Sequence, residues 1–127
     1  MQGVEIGTKS AGGKSVAEIT AVGRALSDPI RVRMLGMMAG GRECCGLRPS
    51  GAPTGAGEAV YPGICVCEFV DYFGMSQSKI SYHLGRIKEA GLVEEWRLGK
   101  WRYYSLRKEA VDGVLKVLAA HMGQDEA

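Results

Sequence analysis

No stretch of this 127-residue chain is long and apolar enough to cross a bilayer as a helix, so a membrane partner is not expected. Cys-x-x-Cys is missing, and no short apolar runs alternate with helical patterns as a βαβ unit requires. Thioredoxin-like chemistry therefore has no support. The 19 glycines nowhere stand between a strand and a helix in the spacing that cradles phosphate. With only two histidines, His83 and His121, partners for acid–base catalysis are scarce. An enzyme is not expected, and neither is an organic cofactor. The N-terminus lacks the basic-then-apolar pattern of a secretory leader, which predicts a cytoplasmic protein with its four cysteines mostly reduced.

What is present suits one small compact domain. A hydrophobic share of 46% supports a core, though a small one, so burial by dimerisation would help. Sixteen Lys and Arg nearly balance 14 Asp and Glu for a net charge of +2, but the balance is uneven along the chain. From Ser76 to Lys108 eight cations (Lys79, Arg86, Lys88, Arg97, Lys100, Arg102, Arg107, Lys108) oppose three acids (Glu89, Glu94, Glu95). That is a local +5, with −3 left elsewhere. A basic surface of this kind suits a polyanion.

Residues 1–14 are rich in Gly, Ser and Lys and are expected to form a disordered tail; residues 15–122 are expected to form the folded unit. Val16, Ile19, Val22 and Leu26 recur at helical spacing. Asp28-Pro29 then caps and opens a second helix with Ile30, Met34, Met37 and Met38 on its buried face. Residues 40–63 form a Gly/Pro-rich loop with the vicinal pair Cys44-Cys45 at its base, an unusual length for a compact domain. Val66, Phe69, Val70 and Phe73 mark a short amphipathic helix that follows Cys65 and Cys67. Gly74-Met75 turns the chain, and Ser76 caps a helix with Ile80, Leu84 and Ile87 as its stripe. Two helices joined by a tight glycine turn form a helix-turn-helix. Leu92–Leu98 and Trp101–Leu106 read as a two-stranded hairpin turning at Gly99-Lys100, and Val111, Val114, Leu115, Leu118 and Met122 line a last helix. The fold class is mainly α with a small β-hairpin: about five helices and a two-stranded wing.

Off the apolar stripe of the Ser76 helix lie Gln77, Ser78, Lys79, Ser81, Tyr82 and Arg86, hydrogen-bonding groups and cations of the type that reads base edges in a major groove. Arg97, Lys100 and Arg102 near the hairpin tip suit phosphate contact or approach to a minor groove. The plainer alternative is a solvated helix face and an ordinary charged hairpin. His83, beside Leu84, fits either a satisfied boundary histidine or a base or phosphate contact.

ICVCEF followed by MSQSKISYHLGRIKEAGLVEEWRLGKWRYYSL resembles the ArsR/SmtB family of winged-helix metal-sensing repressors, in its cysteine motif, its recognition helix and its Gly-Lys wing. The resemblance is strongest over Ile64–Leu106 and looser over about Ser15–His121. It implies a homodimer built on the first and last helices, with Gln77, Ser78, Ser81 and His83 facing double-stranded operator DNA. That family's other metal site, on the last helix, needs Asp-x-His and a later second His. Here Asp112 is followed by Val114 two residues on, and His121 by Gln124 and Asp125, so that site is broken.

Thiolates select soft metals and metalloids. Cys65 and Cys67 stand at a helix start, whose unpaired amides suit an anionic sulfur. Residues i and i+2 do not share a helix face. Regular helix geometry would thus point the sulfurs apart, and joint ligation would unwind the first turn and strain the helix against its DNA-reading neighbour. The resembling arsenic sensors carry Cys-x-Cys-x-x-Cys, and here the third position is Val70. The expected effector is As(III), held by Cys65 and Cys67 with one or both of Cys44 and Cys45. A tetrathiolate site for Cd(II), Pb(II) or Zn(II) and a repressor switched by thiol oxidation use the same residues. Two small buried hydrophobes are the plain alternative for Cys65 and Cys67, and accidental loop thiols for Cys44 and Cys45.

Overall fold

Capping chemistry divides the first half of the chain. Helix α1 (Ser10–Ala25) ends where the Ser27 hydroxyl donates to the Arg24 carbonyl at 2.7 Å. Asp28 then accepts from the Ile30 amide at 2.8 Å, with Pro29 in the first turn, and starts α2 (Pro29–Gly40). The computed structural model describes residues 10–41 and 63–123, with side chains from Ser15 onward. Cys44, Cys45 and most of the expected 40–63 loop lie outside the described residues, as do residues 1–9 of the expected tail. Helix α1 starts at Ser10, inside the Gly/Ser/Lys-rich stretch, because extending a formed helix gains a hydrogen bond for each residue fixed.

The second part follows the predicted order with one addition. Strand β1 (Ile64–Cys65) runs into α3 (Val66–Phe73), and Gly74 ends that helix in the left-handed region (φ 65°, ψ 30°). Ser76 accepts from the Lys79 amide at 3.2 Å and caps α4 (Gln77–Glu89). Strands β2 (Val93–Leu98) and β3 (Trp101–Leu106) follow, then α5 (Lys108–His121). The hairpin pairs from Val93↔Leu106 through Arg97↔Arg102 to Leu98↔Trp101, leaving a two-residue loop at Gly99-Lys100.

The wing is a three-stranded antiparallel sheet in the order β1-β3-β2, not the two-stranded hairpin expected from sequence. Ile64 pairs with Tyr104 and Cys65 with Tyr103, so the chain adds its first cysteine to the sheet before turning into α3. Gly63 permits this approach. It sits at φ 82°, and a Cβ there would overlap the Tyr104 carbonyl. A two-residue strand has too little periodicity to show in a sequence.

Met34, Met37, Phe69, Ile80, Leu84 and Ile87 are fully buried and form the centre of the main core with Ile64, Leu92, Val93 and Tyr104. This core fixes α4 against α2 and α3. A second, smaller cluster joins Cys65 to Tyr103, with Cys67, Leu98 and Trp101 packed against it. Helix α5 packs on α1 and has no fully buried residue; Leu115 (58% exposed) and Met122 (61%) remain open, as do Val16, Leu26 and Val32 elsewhere in the chain.

Candidate functional site

Cys65 has extended backbone (φ −74°, ψ 147°) and stands at the N-cap of α3, while Cys67 lies inside its first turn. The Glu68 carboxylate accepts from the Cys65 amide at 2.8 Å, in a capping-box arrangement that fixes this entry. The cap geometry corrects the expectation that the two sulfurs diverge. Only one of the two residues is helical, so the i, i+2 rule does not govern them. The Cys67 thiol donates to the Cys65 sulfur at 3.0 Å. The pair is brought together without unwinding α3.

These sulfurs border a cleft of about 480 Å3 between α3, the start of α4 and the wing. Val66, Val70 and Asp71 line it from α3, Gln77 from α4, and Lys100, Trp101 and Arg102 from the hairpin. Three residues assigned to DNA reading from sequence thus share a cavity wall with both thiols. The Lys100 ammonium stands 5.0 Å from the centre of the Trp101 ring, a cation–π contact within the hairpin tip. Sequence reasoning missed Trp101 and Asp71 as cleft residues, since neither spacing nor residue type marks them.

Gln77, Ser78, Lys79 and Tyr82 are exposed on one side of α4, with Ser81 and Arg86 half-buried. Ser81 accepts from Arg102 Nη2 at 3.0 Å, which ties the recognition helix to the wing. Arg86 pairs with Glu89 at 3.4 Å on the surface. Arg97 is exposed on the wing, 3.5 Å from Glu95, and Arg102 lies 3.6 Å from the same carboxylate. Part of the wing charge is therefore already paired.

Glu95 is the centre of that network and was not singled out by sequence. Lys88 from α4 donates to it at 2.6 Å and the Tyr104 hydroxyl donates at 3.2 Å. The Lys88 hydrogen bond, followed by the Tyr104 bond and the Lys88 and Arg97 charges, holds the carboxyl below its ordinary range against the opposing effect of burial. Burial, and then the Glu95 charge, pushes the Tyr104 phenol up.

His83 departs from the DNA-facing position implied by family resemblance. Its imidazole is buried against α2, with Nδ1 3.0 Å from Arg31 Nη1. Arg31 Nε donates to the Ala25 carbonyl at 2.8 Å, so one guanidinium links the end of α1 to α4. Burial pushes the His83 pKa down; the Asp28 charge opposes this, and the Arg31 and Lys79 charges add to it. A neutral imidazole accepts from Arg31 at Nδ1, which makes His83 a satisfied boundary residue.

Among the described residues no three His, Cys, Asp or Glu groups gather as a metal site, and no helix is long and apolar enough to cross a membrane. Residues 64–95 match the family model described as bacterial regulatory protein, arsR family. The chain is 43% identical over 51 residues to the arsenical resistance operon repressor of Bacillus subtilis, covering 40% of this chain and 49% of that protein. It is 45% identical over 56 residues to an arsenic resistance transcriptional regulator of Pseudomonas putida, covering 42% and 44% respectively. The matched part thus spans about half the length of these relatives. A solved homodimeric winged helix-turn-helix DNA-binding domain from Mycobacterium bovis, described as a possible ArsR-family regulator, superposes with a TM-score of 0.55 at 22% identity. That match covers 87% of this chain and 84% of that one, and it shows the fold. With the cysteine-led helix-turn-helix and the wing in place, the segment of this chain that resembles the arsR family of bacterial regulatory proteins is residues 64–95.

Proposed function

We propose that this protein is a cytoplasmic transcriptional repressor that binds operator DNA as a homodimer and releases it when As(III) is captured by cysteine thiolates. The observation that carries the reading is the sulfur pair at 3.0 Å, set in the same cleft as Gln77, Lys100 and Arg102. The donor set fits a soft, thiophilic centre, for which Cys65 and Cys67 supply two ligands. Cys44 and Cys45 are the remaining cysteines of the chain and are assigned to complete the site.

The physical route runs through the wing. Cys65 packs on Tyr103, and Cys67, Leu98 and Trp101 close the same small cluster. A ligand on the sulfurs fills space bounded by the hairpin tip, so Lys100 and Arg102 shift and the Arg102–Ser81 link is strained. Two arrangements of one element, biased by a bound ligand, are sufficient for release. Gln77, Ser78, Lys79 and Tyr82 read bases from α4 while Lys100 and Arg97 contact phosphate. The open apolar residues Val16 of α1 and Leu26 just after it, with Leu115 of α5 and Met122 at its C-cap, support a dimer through the first and last helices. Two copies related by a twofold axis call for an imperfect palindrome with half-sites about one helical turn apart.

The test is fluorescence anisotropy on the duplex upstream of the protein's own coding sequence, titrated with arsenite, Cd(II), Pb(II) and Zn(II). Cys65→Ser and Cys67→Ser are expected to keep DNA affinity within about threefold and to lose arsenite-induced release. Undiminished release from both variants refutes the assignment.

A further inference from the structure

We infer that Arg31 is a positioning residue for DNA reading: its guanidinium fixes the recognition helix relative to the helix that joins two copies, and so sets the half-site spacing that the dimer accepts. The inference rests on the homodimeric reading above. Arg31 belongs to α2, but its side chain serves two other helices. Nε donates to the Ala25 carbonyl at 2.8 Å and Nη2 to the Arg24 carbonyl at 3.3 Å, both at the end of α1. Nη1 donates to His83 Nδ1 at 3.0 Å, midway along α4. One rigid, planar fork thus holds the last turn of the dimer helix and the centre of the recognition helix in a single geometry. Arg31 and His83 are each only 7% exposed, so water competes little for these bonds.

The joint differs in kind from the packing around it. Val22 and Ala25 bring α1 into the main core through apolar contact, which holds the helix close but has no directional preference. The Arg31 bonds are charge-assisted and directional. Their acceptors are neutral, and two of them are carbonyls at a helix C-terminus, where the dipole favours a cation. Arg31 therefore caps α1 and reaches α4 with its remaining nitrogen. Binding one half-site requires only α4 and the wing, which the main core and the Arg102–Ser81 bond place. Binding a whole operator also requires the two recognition helices of a dimer to stand about one helical turn apart. That separation passes from α4 through Arg31 to α1, and from there across to the second copy.

The experiment compares the full chain with three variants. His83→Leu removes the acceptor and leaves both α1 bonds in place; His83→Gln keeps an acceptor; Arg31→Lys keeps the charge and loses the fork. Each is titrated onto a single half-site, onto the duplex upstream of the coding sequence, and onto that duplex with two base pairs inserted between its half-sites. Sedimentation velocity and urea midpoints on the same samples report dimer and folded fraction. His83→Leu and Arg31→Lys are expected to bind the half-site within about threefold of the unaltered chain and to lose about tenfold on the upstream duplex, the worth of one charge-assisted bond. Their preference for the original spacing over the inserted one is expected to shrink by the same factor, and His83→Gln to retain it. Where Arg31→Lys lowers the folded fraction, His83→Leu decides the outcome. A His83→Leu loss that is equal on half-site and whole operator overturns the inference, because a direct DNA contact or a folding defect acts on every duplex alike. So does a spacing preference that His83→Leu keeps. An unaltered chain that is monomeric, or that binds both spacings equally, overturns the dimeric reading itself and the inference with it.

Discussion

Phe69 and Cys65 both belong to the segment that opens the helix-turn-helix, yet they pack in different clusters. Phe69 is fully buried among Met34, Ile80, Leu84 and Ile87, where α2, α3 and α4 meet. Cys65 is equally buried, but its neighbours are Tyr103, Cys67, Leu98 and Trp101, nearly all of them on the wing. The large cluster sets where the recognition helix stands. The small one, through Tyr103, Leu98 and Trp101, holds the far half of the hairpin, whose base (Val93 and Tyr104) belongs to the large cluster, and it borders the open cleft. A ligand at the thiols can then move the hairpin tip while the main core keeps its packing.

The largest expected effect separates the two clusters directly. Phe69→Ala removes a large side chain from the centre of the main core and is expected to cost about 3–5 kcal/mol. Cys67→Ser, half-buried at the cleft edge, is expected to stay within about 1 kcal/mol. Urea denaturation midpoints at constant m-value measure both. A Cys67→Ser loss as large as the phenylalanine loss would merge the clusters into one cooperative core and end the proposed independence of the wing.

Within the wing, Lys100 and Arg102 sharpen the comparison at smaller scale. Lys100 is exposed over Trp101, whereas Arg102 is half-buried, bonded to Ser81 and near Glu95. Lys100→Ala is expected to weaken binding to all duplexes and reduce the salt slope by about one phosphate contact. Arg102→Ala is expected to reduce that slope less, because its charge is already partly compensated. A double-mutant cycle on Arg102→Ala and Ser81→Ala should show a coupling of about 0.5–1.5 kcal/mol in stability. Additive losses would dissolve the link between helix and wing.

Most of the architecture was legible because it rests on local rules. Asp28, Ser76 and Gly74 punctuate the helices, and the stripe of Ile80, Leu84 and Ile87 declares the buried face of α4. What the sequence hid depends on contacts distant along the chain. Strand β1 exists only through pairing with Tyr103 and Tyr104, and the sulfurs converge because Cys65 is the cap and not part of the helix. Trp101 reaches the cleft from the other side of the hairpin turn. Glu95 looked like one more surface acid until folding surrounded it with Lys88, Arg97, Arg102 and Tyr104. His83 shows the same limit: its residue type suits DNA, and only the fold places Arg31 against it.

That histidine carries the smallest expected effect, and it acts on the main-core side. Burial lowers its folded pKa below the ordinary value of 6.5, so the unfolded chain binds a proton more readily than the folded one. The histidine's contribution to stability is therefore complete above about pH 6.5 and is lost as pH falls from there through the folded value. Protonation also turns Nδ1 from an acceptor into a donor facing the Arg31 guanidinium, with Lys79 adding to the repulsion and Asp28 opposing it. His83→Gln retains an acceptor for Arg31 and has nothing to titrate, so its urea midpoint is expected to fall less than that of the unaltered chain between pH 7.5 and about pH 5.5. Stoichiometric uptake of arsenicals by Cys65 and Cys67 at pH 7.5 should be the same in both proteins, because the histidine lies against Arg31 of α2 and does not line the cleft. A variant that tracks the unaltered chain through the acid range would return His83 to the list of DNA contacts, since a solvent-facing imidazole would leave folding stability untouched.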